Sequence, residues 1–167
     1  NISTAENLYK KSLFLDGNNM TALIRLASIF RVTGRINEAI QLVTRAINLS
    51  PRNPQLFLDL GHLHYVLGDL DKAVIAIKRA VNIQDDFLAA HKNLSLIYHK
   101  LGRFKEAINE MHKTISLDPM NAELKITMGA IMIDSARFED AKLFTKQAIQ
   151  INPKNPYGYI NLGLIFQ

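Results

Sequence analysis

The side chains best suited to chemistry in this chain are five histidines and a scatter of asparagines, carboxylates and lysines; there is no cysteine. The lack of cysteine excludes a disulfide framework and a thiolate metal site, and it fits a reducing compartment. His64 and His91 fall on apolar stripes of helical spacing, where an imidazole reads as a packed, hydrogen-bonded ring. His62 and His99 fall off those stripes and could approach one another, as a metal-binding pair would. No carboxylate or third histidine repeats at the same level to complete such a site. His112 reads as solvated. No phosphate-binding glycine loop, paired metal-ligand motif or nucleophile elbow occurs. The chain is therefore read as non-catalytic, with no cofactor and no metal. Asn1, Asn19, Asn48 and Asn93 each open a glycosylation-type triplet. A chain this rich in Asn and Ser produces such triplets from composition alone.

These residues are positioned by a repeat. The heptad Gly102-Arg103-Phe104-Lys105-Glu106-Ala107-Ile108 has near-copies starting at Gly34, Gly68 and Ala136, each 34 residues from the next. Period 34 divides the chain into a partial unit 1–19, full units 20–53, 54–87, 88–121 and 122–155, and a partial unit 156–167. Before each heptad, apolar residues recur at i, i+3, i+4 and i+7, as in Phe57, Leu60, Gly61 and His64. After it a second helical pattern follows, as in Leu70, Ala73, Val74, Ile77 and Ala80. Each unit is helix, short turn, helix. Pro51, Pro119 and Pro153 mark the end of the second helix, since proline lacks an N–H and biases the preceding residue away from helix. Asp85 holds that place in one unit, which predicts a helix that runs on or ends less sharply there. Glycine at 34, 68 and 102 permits the tight turn, and Ala136 predicts strain or a different turn shape. Ala39, Ala73, Ala107 and Ala141 form one line of small residues, and Ala46, Ala80, Thr114 and Ala148 another, where helices must approach closely. Arg103, Lys105 and Glu106 read as solvated.

A 34-residue helix–turn–helix with a large residue, Leu-Gly, an aromatic, then Ala, a bulky residue, Ala and Pro resembles the tetratricopeptide repeat. The carriers include Phe57, Leu60-Gly61, Gly68, Ala73, Ile77 and Ala80 in one unit and His91, Leu94, Tyr98, Gly102, Ala107, Met111 and Pro119 in the next. Leu23, Phe57, His91, Lys125 and Tyr159 stand in place of the usual tryptophan. The resemblance covers essentially the whole chain. It implies an all-α fold, a right-handed superhelical α-solenoid of antiparallel helix pairs with about ten helices.

The resemblance further implies that first helices line a concave groove. Residues off their packing stripes then form ladders, one being Arg25, Asp59, Asn93, Thr127 and Asn161. A second runs Ile24, Leu58, Lys92, Ile126 and Ile160, a third includes Ser28, His62 and Leu96, and a fourth Arg31, Tyr65 and His99. An asparagine amide donates and accepts at once, so it can hold a peptide backbone group. Leu58, Tyr65 and Leu96 would add apolar pockets. Glycosyltransferase arms of this family use an asparagine ladder of this kind, which only Asn93 and Asn161 match here. The carboxylate clamp of chaperone-binding relatives is not expected, because Lys92 is followed one turn later by Leu96 and in the next unit by Thr127.

The net charge is +5, spread as +4 over residues 1–53, −2 over 54–87, +2 over 88–121 and +1 over 122–155. No face or run concentrates it, which argues against nucleic acid as partner. No apolar run reaches the ~18 residues of a membrane span, and no signal-peptide pattern opens the chain. A cytoplasmic location follows from these readings. The first residues already read as mid-repeat, and Ile160, Leu162, Leu164, Ile165 and Phe166 are not the polar face of a sealed end. More repeats beyond Gln167, or a partner covering that end, are expected. The leading expectation is a scaffold binding a protein or peptide in the groove through Arg25, Leu58, Asp59, His62, Tyr65, Lys92, Asn93, Leu96, His99, Thr127 and Asn161. The alternatives are a non-catalytic recognition arm of a larger enzyme, such as a glycosyltransferase, and a module that self-associates through the apolar C-terminal end.

Overall fold

The computed structural model describes residues 1–167 as ten α-helices and no strand. The helices are α1 (Ile2–Leu15), α2 (Met20–Val32), α3 (Ile36–Leu49), α4 (Pro54–Val66), α5 (Leu70–Ile83), α6 (Leu88–Lys100), α7 (Phe104–Leu117), α8 (Ala122–Asp134), α9 (Phe138–Ile151) and α10 (Pro156–Ile165). They fall into two compact units, Asn1–Asp85 and Asp86–Gln167. In the first unit each helix from α1 to α5 packs on the next in sequence. In the second the same holds from α6 to α10, and α10 also returns to α8.

Both lines of small residues are packing seams. Ala39, Ala73, Ala107 and Ala141 are fully buried, as are Ala46, Ala80, Thr114 and Ala148. In the first unit Leu26, Ala27, Phe30, Ala39, Val43 and Leu63 form one core cluster across α2, α3 and α4. Four first helices start on an asparagine at the same place in the repeat. Asn19, Asn53, Asn121 and Asn155 each accept a backbone N–H of the first turn through the side chain, at 3.0–3.3 Å. Such a cap satisfies a donor the helix itself leaves open and contributes about 1 kcal/mol. Helix α6 instead starts after Phe87, with no side-chain cap.

Asp85 does not lengthen α5. That helix has 14 residues, as do α3, α7 and α9. The packed seam sets the helix length, and the proline at this place in other repeats only coincides with a stop already fixed. Ala136 takes the left-handed conformation at φ 58°, beside 78°, 79° and 70° at Gly34, Gly68 and Gly102. The turn keeps its shape: Arg137 N–H donates to the Met132 carbonyl at 2.8 Å, matching Arg35 to Phe30 at 2.8 Å and Arg103 to Tyr98 at 2.9 Å. The strain of an alanine there is ~1–2 kcal/mol, and glycine adds ~0.4–1 kcal/mol of unfolded-state entropy. Ala136→Gly is therefore expected to stabilise the chain by roughly 0.5–1 kcal/mol. A higher urea midpoint with unchanged slope checks it.

The turn arginines are not simply solvated. The Arg35 guanidinium lies 3.8 Å from the Phe30 ring centroid and pairs with Glu38 at 2.7 Å and Glu6 at 2.7 Å. Arg103 lies 4.6 Å from the Tyr98 ring centroid and pairs with Glu106 at 2.6 Å. Hydrogen bonds from Lys10 and Arg35 hold the Glu6 carboxyl below the usual carboxylate range, and Arg35 does the same to Glu38. The Arg35–Glu38 and Arg103–Glu106 pairs are exposed and order the turn more than they stabilise the fold, whereas the Arg35–Glu6 pair is part-buried.

Candidate functional site

Within Asn1–Asp85, α2 and α4 leave a cleft of about 270 Å³ between them. Arg25, Ser28 and Arg31 of α2 line one wall, and Asp59, His62 and Leu63 of α4 line the other. Ile24, Ala27 and the α3 residue Val43 complete the lining. Three expected site residues, Arg25, Asp59 and His62, therefore meet in one concavity. The Asp59 carboxylate accepts from Gln55 Nε2 at 2.7 Å, which orients it along the wall. Tyr65, one turn beyond His62, is 40% exposed. Leu58 is a correction: it is 3% exposed and belongs to the core. Helix α4 packs on both α3 and α5, so its apolar band is wider than one stripe and takes in Leu58.

Within Asp86–Gln167 the expected residues are spread along α6, α8 and α10. Lys92 and Asn93 are half-buried on α6, and Leu96 is 37% exposed. The Asn93 amide donates to the Ala89 carbonyl at 2.8 Å, and the Thr127 hydroxyl to the Glu123 carbonyl at 2.9 Å. Both groups thus bond within their own helices and keep acceptor capacity outward. Asn161 is the second correction. It is 6% exposed, and its Nδ2 donates to the Ile126 carbonyl on α8 at 3.0 Å. It ties α10 to α8 over Gly129, whose added Cβ would lie 3.1 Å from that nitrogen. A glycine at 129 below an asparagine at 161 is the sequence signal that would have found this contact.

The histidines separate by environment. His91 is buried, with Nδ1 2.6 Å from Glu110 Oε2, as a packed and hydrogen-bonded ring should be. His99 does have a carboxylate at its level, Asp134, at 2.6 Å from Nε2. Its ring also lies 5.9 Å from that of Phe104. No cluster of three or more His, Asp or Glu side chains suited to a metal forms. His112 is exposed, with its ring 5.7 Å from that of Phe144.

His64 departs from its expected hydrogen bond, because its buried Nδ1 has no partner. Burial pushes its pKa down, against a smaller opposing effect of Asp69. The unfolded chain therefore takes up this proton at a higher pH than the folded one. Stability from this residue is complete above the ordinary histidine range and is lost as pH falls through it. The urea midpoint is expected to fall between pH 7.5 and pH 5.5, and His64→Phe to reduce that fall. The repeat supports this substitution, since Phe30 and Tyr98 occupy the same place and are buried.

The tetratricopeptide-repeat family model matches residues 33–95 and again 98–162. The chain belongs to the tetratricopeptide-repeat family. Its fold is that of a protein-interaction scaffold. Among solved structures it is similar to MamA, at 25% identity over 92% of this chain and 90% of that one, with a TM-score of 0.85. It is similar to YrrB, described as a tetratricopeptide-repeat protein with an unusual peptide-binding site, at 22% identity and a TM-score of 0.82, covering 97% of this chain and 84% of that one. It also matches TTC0263, a thermophilic tetratricopeptide-repeat protein of Thermus thermophilus, at 18% identity and a TM-score of 0.72, over 99% and 91% of the two chains. No curated protein sequence matches the chain. No helix is long and apolar enough to cross a membrane.

Proposed function

We propose that this tetratricopeptide-repeat chain binds an extended peptide segment of a partner protein on the exposed faces of its first helices. The observation that carries the reading is the α2–α4 cleft, which gathers Arg25, Asp59 and His62 around about 270 Å³ of open space. Donors and an acceptor on facing walls suit a peptide, whose backbone offers both kinds of group in alternation. Tyr65, 40% exposed on α4, is suited to an apolar side chain of the same ligand. Within the second unit, Lys92, Asn93, Leu96, His99 and Thr127 offer candidate contacts of their own on α6 and α8. The peptide-binding site named for YrrB is compatible with this reading. The test is a pull-down and peptide-array comparison of the wild type with Asn93→Ala and Tyr65→Ala combined. Loss of bound partner is expected; unaltered binding would move the site elsewhere.

A second reading is favoured by one separate observation. Tyr157, Tyr159, Ile160, Leu164 and Phe166 of the C-terminal segment are all about half exposed or more. An apolar face of this kind supports reading it as an association surface. Light scattering at high protein concentration, with and without Ile160→Glu and Leu164→Glu, separates the outcomes. A strict monomer in the wild type removes self-association.

A further inference from the structure

Arg25 and Arg31 are the only arginines on any first helix of the chain, and both stand on α2. They are six residues apart with Ser28 midway, so the three lie along one side of the helix. All three line the cleft to α4. The turn arginines 35, 103 and 137 are each paired with a carboxylate of the following turn. Arg25 and Arg31 are in no ion pair and both are exposed. His62 adds a third donor from the facing wall. Asp59 on that wall is the one carboxylate lining the cleft, and it already accepts from Gln55.

We propose that this cleft selects one acidic side chain, an aspartate or glutamate, of the peptide bound on the first helices. The inference rests on the peptide-binding reading above and names the chemistry of one position in that ligand. A guanidinium presents its donors in a planar fork that matches a carboxylate, and two forks flanking a hydroxyl give that carboxylate a defined seat. The cleft's volume of about 270 Å³ is room enough for a short acidic side chain. Asp59 sets the limit on charge. It repels a second acid on the opposite wall and offsets one of the two arginine charges, leaving a net +1 that a single carboxylate neutralises. The acidic residue is therefore single and flanked by neutral positions, with a backbone N–H facing Asp59.

The test uses the whole chain and a positional-scanning library of extended nonapeptides in which one position at a time is Asp, Glu, Asn, Gln or phosphoserine. The expected result is one position where Asp or Glu is preferred about tenfold or more over its amide. Fluorescence anisotropy with the selected peptide then compares wild type with Arg25→Gln/Arg31→Gln. Binding of the acidic peptide is expected to weaken at least tenfold in the variant, several times more than binding of its amide form does. Both arginines are exposed, and an unchanged thermal melt confirms that the variant folds. Peptides that bind without an acidic preference, that prefer phosphoserine, or that ignore the double substitution overturn the acidic seat and leave peptide binding standing. A library from which nothing binds overturns both.

Discussion

A His91→Ala variant is expected to lose about 3 kcal/mol or more of stability. Two effects add. The imidazole is 1% exposed, so its removal leaves a cavity that the α6–α7 seam closes only in part. It also strips Glu110, whose side chain is only 13% exposed, of its 2.6 Å partner, leaving Lys113 at 3.3 Å. Truncating a buried side chain typically costs ~2–5 kcal/mol, and removing one member of a buried pair falls in a similar range. Urea unfolding measures the loss, and a double-mutant cycle with Glu110→Gln separates the pair from the cavity. A loss under about 1 kcal/mol would show that neither the cavity nor the pair matters.

Gly61→Ala should destabilise the chain although alanine is the better helix former. An added Cβ would lie 2.3 Å from Cγ1 and 2.9 Å from Cδ1 of the fully buried Ile77, and 3.2 Å from the Ala73 carbonyl oxygen. Overpacking of this kind costs ~1–3 kcal/mol, against a gain of ~1 kcal/mol from helix propensity. The difference is a loss of up to about 2 kcal/mol, with the 2.3 Å contact placing it toward the upper end. The repeat supplies the remedy. One unit earlier, Ala27 and Val43 occupy the places of Gly61 and Ile77, and both are buried in one cluster. Gly61→Ala combined with Ile77→Val rebuilds that pair and is expected to recover most of the loss. Gly163 has the same place in α10 with nothing within 4 Å of an added Cβ, so Gly163→Ala should be neutral or stabilising. If Gly61→Ala raises the melting temperature as Gly163→Ala does, the close approach of α4 and α5 is not limiting.

The helices were readable because a fixed period aligns ten of them, and one clear stripe, such as that of Leu23, Leu26, Ala27 and Phe30, teaches the rest. The placement of the candidate residues was readable only in part. Arg25, Asp59 and His62 lie where the ladders put them. Leu58 and Asn161 do not, because spacing along one helix is silent about which neighbours cover it. An asparagine looks the same in sequence whether its amide faces solvent or holds the Ile126 carbonyl. The recurring Asn19, Asn53, Asn121 and Asn155 had the opposite fate. Asn19 opens a glycosylation-type triplet, yet it and the other three each cap a helix start.

The segment from Gln84 to Phe87 breaks the repeat twice, with Asp85 in place of proline and Phe87 in place of the capping asparagine. Asn82 to Asp86 are exposed in succession. The loop lacks both a proline ring and a side-chain cap on α6 and is exposed, so it is suited to being opened. A protease nick or an inserted reporter peptide belongs at Asp85–Asp86, where the units 1–85 and 86–167 meet in sequence.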